Sequence, residues 1–188
     1  MFYWPEVKAN SMTSADLESF DADTIGYINA FVRELIQNSM DATPAGKTTR
    51  LSFKFGEGDI NETGLFKQLN DHRASRAKLE PIGKDKKKIR WLYAADENTT
   101  GIEGDISRRD SDFWNFFMNW GTSSKGAKKR GRHGRGRITI LEASDVKTVI
   151  VVTKREKDKV PLSCGLSLLD QGTDNEGVYR DAWAFFAE

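Results

Sequence analysis

The stretch at residues 31–42, FVRELIQNSMDA, has a helical pattern but carries polar residues that a buried helix would avoid. Glu34, Asn38 and Asp41 are spaced i, i+4 and i+7, so at about 100° per residue they lie within roughly 60° of one another on one helix face. A separate, mostly apolar face can pack on a sheet, and it consists of Ile25, Ile28, Val32, Leu35, Ile36 and Ser39. The pattern predicts a helix whose back packs on the core and whose front meets something polar.

The polar face of this helix has a chemical interpretation. A carboxylate one helical turn from an amide can hold a hydrated divalent cation and activate a water molecule beside it. Glu34 and Asn38 form such a pair. The alternative is a solvated polar face on which the two side chains are neighbours without a shared function.

The composition narrows the class of protein. At 188 residues the chain is about one domain long, and its net charge of +1 argues against a protein that seeks polyanions over its whole surface. Its one cysteine cannot form an intramolecular disulfide, and its two histidines stand far apart without cysteines at ligand spacing, so we expect a reducing compartment and no zinc site. The sequence has no run of about 20 apolar residues and no signal-peptide pattern, so we expect a cytoplasmic protein without membrane contact.

The remaining pattern predicts further helices and strands. The helix around Glu34 should begin at an N-cap, Asp23 or Thr24, and end near Ala42 before the turn TPAG. Strands are expected at 48–55 (half-buried, with Leu51, Phe53 and Phe55 on one side), at 89–95 (more buried), and as a hairpin of 146–153 with 160–169. Further helices are expected within 60–79 and at 112–120, where the aromatic residues are interpreted as core.

Two loops carry the remaining chemistry. Asp96 follows the strand at 89–95 and precedes small residues and Gly101, which indicates a loop that a ligand approaches closely, or else a simple surface turn. Residues 121–137, GTSSKGAKKRGRHGRGR, contain five glycines and seven Lys or Arg without an acid, and we call them the Gly-rich loop. Its GxxGxG pattern lets backbone N–H groups turn toward phosphate oxygens, and a helix expected at 138–143 adds its positive end. Such a stretch is also typical of a flexible loop or a nucleic-acid patch.

The helix at 31–42, the loop after Asp96 and the Gly-rich loop follow one another in an order that resembles the Bergerat-fold ATPases, also called the GHKL superfamily. Its members include the DNA gyrase B subunit, the ninety-kilodalton heat-shock chaperones, the MutL mismatch-repair proteins and the sensor histidine kinases. The chain most resembles bacterial proteins described as heat-shock-chaperone-like or histidine-kinase-like ATPases. In these, as here, the second motif has an NTTG form, and the lid has an aromatic helix, a Ser-x-Lys element and a GRxGxGK-like ending.

The resemblance implies a role for each matching residue. Glu34 matches the general base that deprotonates the attacking water, Asn38 the ligand of Mg²⁺, and Asp41 the last acid of the helix motif. Asp96 matches the acid that accepts a hydrogen bond from the adenine amino group, and Lys125 matches a catalytic lid lysine near the phosphates. The nucleotide-binding residues implied in the two loops are Asp96, Asn98, Thr100, Gly101, Ile102, Gly131, Arg132, His133, Gly134, Arg135, Gly136 and Arg137.

The chain departs from the usual motifs at three places. The usual second motif runs Asp-x-Gly-x-Gly, and reading Glu97 instead of Asp96 as the key acid would restore that spacing to Gly101. We prefer Asp96 because the NTTG variant looks like a subfamily form. Arg137 stands where relatives often have Lys, and Gly172-Thr173 falls in a polar loop without the strand expected at the family's late Gly-Thr motif.

The resemblance implies an α/β (α+β) two-layer sandwich in which helices cover one face of a mixed, largely antiparallel sheet and ATP lies between helices and lid. It implies Mg²⁺-dependent binding and slow hydrolysis of ATP, which would gate dimerisation or a conformational change. The apolar C-terminus indicates either that the natural chain continues or that this end docks on the sheet. We expect residues 1–188 to be one domain, at the N-terminus of a longer protein. The alternatives are a nucleotide switch that hydrolyses little, a histidine kinase catalytic domain, and a nucleic-acid-binding module that uses the Gly-rich loop.

Overall fold

The computed structural model describes residues 3, 6, 26–59, 64–77, 80–83, 88–105, 108, 111, 113, 116 and 136–187. Within these residues the helices are α1 (Tyr27–Asp41), α2 (Gly64–His72), a π-helical turn (Arg73–Ala77) and α3 (Gly136–Glu142). The strands are β1 (Arg50–Asp59), β2 (Lys88–Glu97), β3 (Thr148–Thr153), β4 (Leu162–Leu168), β5 (Gly172–Thr173), β6 (Tyr179–Arg180) and β7 (Trp183–Ala187). The helices and strands predicted from the sequence within this part of the chain are of the predicted type, whereas Gly172-Thr173, predicted to lie in a loop without a strand, forms β5.

Helix α1 begins later than predicted. Gly26 precedes it with φ of 75° and ψ of 140°, which breaks the helical backbone, and no side chain caps the first turn. The N-cap predicted at Asp23 or Thr24 is therefore wrong, although both residues lie outside the described part of the chain. At its other end the N–H of Ala42 donates to the carbonyl of Asn38 at 3.1 Å, so the end near Ala42 is confirmed.

The predicted packing face of α1 is covered only in part. Ser39 is 5% exposed, whereas Ile28 and Ile36 are exposed. Among the described elements the helix packs mainly against α3, which is seven residues long, and not on a sheet, so only part of its apolar stripe is covered. The prediction that this face packs on the sheet is therefore wrong for Ile28 and Ile36.

Strands β1 and β2 form an antiparallel ribbon that runs from the pair Arg50–Glu97 to the pair Asp59–Lys88. Phe55 is 78% exposed, and the large side chains of β2, Trp91, Leu92 and Tyr93, are also exposed. The predicted half-burial of the Phe53–Phe55 face and the deeper burial of β2 are therefore wrong. The physical reason is that each strand of the ribbon pairs only with the other among the described strands, and no described helix packs broadly on either face.

The core lies on the three-stranded antiparallel sheet with the order β3-β4-β7. Its buried side chains are Phe113, Leu141, Cys164, Leu166, Leu168 and Ala182. Phe113 belongs to the predicted aromatic helix, so the interpretation of that residue as core is confirmed. Burial raises the pKa of the Cys164 thiol to about 11, as expected for a small buried hydrophobe.

The ends of the described chain dock on this sheet. Strand β7 pairs with β4 from Leu168–Trp183 to Cys164–Ala187, so the apolar C-terminus docks as one of the two predicted alternatives requires. Near the N-terminus, the N–H of Tyr3 donates to the carbonyl of Phe185 at 3.2 Å. The β5–β6 hairpin holds Gly172-Thr173 against the π-helical turn, where a Cβ on Gly172 would lie 3.2 Å from the backbone of Arg76. The late Gly-Thr pair is thus a short hairpin strand beside Arg76.

The architecture is α+β with small antiparallel sheets. All pairings among the described strands are antiparallel, and these strands form three separate sheets. The mixed single sheet of the predicted sandwich is not seen in this part of the chain. No helix within the described ranges is both long and apolar enough to cross a membrane.

Candidate functional site

The C-terminal end of α1 meets the loop that follows β2. The N–H of Thr100 donates to the carbonyl of Ala42 at 2.9 Å, and the Ser39 hydroxyl donates to Asp96 Oδ2, also at 2.9 Å. We call residues 98–104, which leave the end of β2, the exit loop. The first two motifs of the sequence are therefore neighbours in space, although Ser39 and Asp96 are 57 positions apart.

The Asp96 carboxylate is held by two hydroxyl groups. Ser39 donates to Oδ2, and Thr99 donates to Oδ1 at 3.1 Å. An ionised carboxylate has about four acceptor positions, so two donors leave it able to accept more. Asp96 is also exposed to solvent, and its carboxylate therefore presents an oriented, negatively charged acceptor at the surface of the junction.

Glu97 points away from this junction. Adjacent residues of a strand face opposite sides, and Glu97 lies opposite Arg50 in the ribbon. Its Oε2 is 3.5 Å from Arg50 Nη1, and both side chains are mostly exposed. Of the two acids that the sequence left open, Asp96 is the one that contacts α1.

The exit loop has positive φ at three described positions, Asn98, Gly101 and Gly104, of which Gly104 has φ of 108°. Asn98 has φ of 66°, and its Nδ2 donates to the carbonyl of Thr48 at 3.0 Å, which fits the tolerance of asparagine for the left-handed region. Gly101 has φ of 72°. The Thr100 hydroxyl donates to the Gly101 carbonyl at 3.3 Å, so it supports the loop and not Asp96.

The end of β3 holds the far side of the exit loop. The N–H of Ile102 donates to Thr153 Oγ1 at 2.9 Å. The Arg155 guanidinium donates from Nη1 to the Gly104 carbonyl and from Nε and Nη2 to Asp158 at 2.7 and 2.8 Å. Arg155 is 8% exposed, and its hydrogen bonds hold the pKa of the Asp158 carboxyl below its usual value while raising the pKa of Arg155. The predicted charged turn at 154–159 therefore contains a buried ion pair, Arg155 with Asp158, that also binds the exit loop.

The other residues predicted on α1 lie on that helix as the spacing requires. Glu34, Asn38 and Asp41 are each half-buried. The Gln37 amide donates from Nε2 to Asp41 Oδ1 at 2.9 Å, so Asp41 is engaged within the helix. Ser39, which contacts Asp96, follows Asn38 directly but lies about 100° further round the helix, on the separate face that the sequence predicted.

Only the end of the Gly-rich loop belongs to the described part of the chain. Gly136 and Arg137 begin α3, which confirms the helix predicted to follow the glycines. This helix packs against α1, so the helix that follows the third motif contacts the helix of the first. The other predicted residues of this loop lie outside the described residues, and they are Lys125, Gly131, Arg132, His133, Gly134 and Arg135.

Sequence reasoning missed the hydroxyl residues that build the junction. Ser39 was assigned to the packing face of α1, yet a hydroxyl within an apolar stripe needs a hydrogen-bond partner when buried, and that was an available signal. Thr99 and Thr153 gave no comparable signal. Thr153 reaches Ile102 across 51 positions, a distance that no local pattern encodes.

A separate polar cavity of about 290 Å³ lies between α2 and the β5–β6 hairpin. His72 and Ser75 line one side, and Asp174 and Arg180 line the other. The Arg180 Nε donates to Asp174 at 2.7 Å and, with two backbone N–H donors, holds the pKa of the Asp174 carboxyl at about 2. Burial, and then the charge of Arg76, lowers the pKa of His72 to about 4. The residues that line this cavity differ from those of the α1 junction.

Searches with models of known protein families, and among curated proteins and solved structures, find no match to this chain. Among the described residues, no group of three or more His, Cys, Asp or Glu side chains could hold a metal ion. The interpretation of the junction therefore depends on its own geometry and on the motifs of the sequence.

Proposed function

We propose that this chain binds ATP with Mg²⁺ and hydrolyses it slowly, as a domain of the Bergerat type. The observation that carries the proposal is the Asp96 carboxylate, which Ser39 and Thr99 hold at the junction of α1 and the exit loop. A fixed acceptor at the end of a strand, next to a loop with Gly101 at positive φ, is suited to a planar ligand with an amino group.

In the proposed pose position six of the purine faces Asp96, and adenine fits this acceptor there. The exocyclic amino group of adenine donates a hydrogen bond to the carboxylate. Guanine has a carbonyl oxygen at the same position, so two acceptors, this oxygen and the carboxylate, would face each other. Hydrogen bonds to a charged group contribute about 1.5–3 kcal/mol, enough to decide between the two bases. In this proposal Asp96 recognises the base, and Asn98, Thr100, Gly101 and Ile102 shape the loop beside it.

Glu34 is the proposed general base. It lies one helical turn before Asn38 on the polar stripe of α1, and it would accept a proton from the water that attacks the γ-phosphate. The Asn38 amide oxygen would hold Mg²⁺, which when bound neutralises charge on the phosphates. One protein ligand suffices because Mg²⁺ keeps waters and phosphate oxygens in its shell, so the lack of a three-ligand cluster among the described residues is compatible with it.

The Gly-rich loop would hold the phosphates. Its backbone N–H groups, together with Lys125, supply donors and positive charge where negative charge develops in phosphoryl transfer. The packing of α3 on α1 supports this assignment, because it brings the end of the loop beside the helix that carries Glu34. Closure of this loop against a second copy is the proposed route by which ATP would gate dimerisation.

Glu34→Ala tests the hydrolytic part of the proposal. ATP is titrated into the wild type with and without Mg²⁺, and phosphate release is then followed under single-turnover conditions. We expect the variant to bind ATP with an affinity within about threefold of wild type and to lose about a hundredfold or more of the wild-type turnover, which is the usual contribution of a general base. Glu57→Gln, at the far exposed end of the ribbon, is the matched control and should change neither quantity.

Two results would contradict the proposal in different ways. A wild type that binds ATP but releases no phosphate above the Glu34→Ala background indicates a nucleotide switch. A Glu34→Ala variant with full turnover shows that another residue is the base.

A further inference from the structure

Thr153 occupies a position where a threonine is not needed for strand formation. It is the last residue of β3 and only 6% exposed. The residues two and four positions before it, Val151 and Val149, are apolar, so its hydroxyl is the exception. A buried hydroxyl requires a partner, and here Oγ1 accepts the N–H of Ile102 at 2.9 Å. The bond joins β3 directly to the exit loop.

The same contact explains why Gly101 precedes Ile102. A Cβ on Gly101 would lie 2.8 Å from Thr153 Oγ1 and 3.2 Å from the Lys154 carbonyl, and the residue has φ of 72°. Only glycine therefore allows the loop to approach the end of β3 this closely. The hydroxyl of Thr153 and the missing side chain of Gly101 form one contact.

The exit loop is fixed on two sides by different elements. On one side Thr100 N–H bonds to Ala42 of α1, and on the other side Ile102 N–H bonds to Thr153 of β3. Asp96 stands at the entrance to the loop and is itself held by α1. Removal of the Thr153 bond would take away the backbone hydrogen bond of the Gly101–Ile102 turn to β3, and the turn would then be held on this side by the packing of Ile102 against the core and by the Arg155 bond to the Gly104 carbonyl.

We propose that Thr153 is a positioning residue for nucleotide binding, whose hydroxyl holds the Gly101–Ile102 turn at the distance from Asp96 that the base requires. This inference rests on the proposed function. Thr153 would contact the loop and not the nucleotide, so its loss should weaken binding without removing any group that recognises the base or performs hydrolysis.

The pair Thr153→Val and Thr153→Ser separates the hydroxyl from the shape of the side chain. Valine keeps the shape and removes the acceptor, whereas serine keeps the acceptor. Two quantities are measured for each variant: the exchange rate of the Ile102 amide proton by NMR, and the dissociation constant for ATP. Thr153→Ala is included as a smaller variant that makes no steric demand if the valine variant does not fold.

We expect Thr153→Ser to keep a protected Ile102 amide and an ATP affinity within about twofold of wild type. In Thr153→Val the Ile102 amide should exchange faster and the ATP affinity should decrease about tenfold, the usual effect of one lost hydrogen bond with its orphaned buried N–H. The rate of hydrolysis at saturating ATP should be unchanged. A variant that had only lost stability would not show this unchanged rate together with a tenfold loss of affinity.

The outcomes separate the two proposals. If wild type binds ATP and Thr153→Val binds it equally well, the positioning role is overturned while ATP binding stands. If wild type binds no ATP, the proposed function is overturned, and the nucleotide role of Thr153 with it. The hydrogen bond would still be established if the Ile102 amide is protected in wild type and Thr153→Ser but not in the other variants. If Ile102 exchanges equally fast in all variants, the bond itself is refuted.

Discussion

Single hydroxyl groups determine how the junction is built. Ser39 and Thr99 orient the two oxygens of Asp96, and Thr153 accepts the Ile102 amide on the other side of the loop. Neutral donors can orient a carboxylate without cancelling its charge, whereas a lysine or arginine at the same place would form an ion pair with it. The arrangement therefore leaves Asp96 available to a neutral amino group of a ligand.

His72 gives a prediction at the same scale. Its pKa is about 4 in the folded protein, mainly through burial and then through the charge of Arg76, against an ordinary value of 6.5. The nearby acids Asp174 and Asp71 oppose this shift, and Arg180 adds to it. Between pH 6.5 and 4 the unfolded chain binds a proton that the folded chain does not, so stability should decrease as the pH falls through this window and this contribution should be constant outside it.

The test is urea denaturation of wild type and His72→Gln at several pH values. We expect wild type to lose roughly 2 kcal/mol more than the variant between the two ends of the window, after allowance for partial exposure of the ring. Parallel curves for the two proteins would show that His72 titrates normally in the folded state.

At the level of the elements, the local sequence pattern was sufficient to predict which segments are helices and which are strands, but not which of their faces are buried. The 3.6-residue spacing in α1 and the β-branched run of β3 specify their elements, and the turn before Arg50 separates α1 from β1. Alternation along β1 shows that Phe53 and Phe55 share a side, but it cannot show whether anything covers that side. The β3–β4 hairpin was predicted correctly, but the β1–β2 pairing and the β3–exit-loop contact join residues far apart in sequence, and no single-sequence pattern encodes them. The candidate site was thus predicted at Asp96 but not at the residues that hold it.

The ribbon of β1 and β2 supplies the prediction at this scale. Trp91 lies over Gly56, and a Cβ on Gly56 would be 2.2 Å from Trp91 Cζ2, whereas one on Gly58 would be 3.7 Å from Trp91 Cδ1. Gly56→Ala must displace the indole ring and should destabilise the protein by about 1–2 kcal/mol. Gly58→Ala is the matched control and should be neutral or slightly stabilising, because alanine reduces the entropy of the unfolded chain. Denaturation midpoints of the two variants decide the matter, and equal midpoints would show that Trp91 does not pack on Gly56.

For the whole molecule, the arrangement of the three motifs is the main result. α1 carries Glu34 and Asn38, its C-terminal end contacts the exit loop, and α3 packs on α1 directly after the last glycine of the Gly-rich loop. Two segments that are distant from α1 along the chain, the exit loop and α3, thus adjoin this helix. Under the proposal the base, metal and phosphate regions all adjoin this helix, whereas a basic loop that binds polyanions would do so without regard to the base.

The most direct measurement is calorimetric titration of ATP and GTP into the wild type, Asp96→Asn and Glu97→Gln. The two variants make the same chemical change at adjacent residues, of which one contacts α1 and the other pairs with Arg50 on the opposite face. For wild type and Glu97→Gln, we expect ATP to bind at least about tenfold more tightly than GTP, and for Asp96→Asn we expect ATP affinity to decrease by about tenfold or more. Equal affinities for ATP and GTP in all three proteins, or no binding of either nucleotide to wild type, would contradict a base site at Asp96.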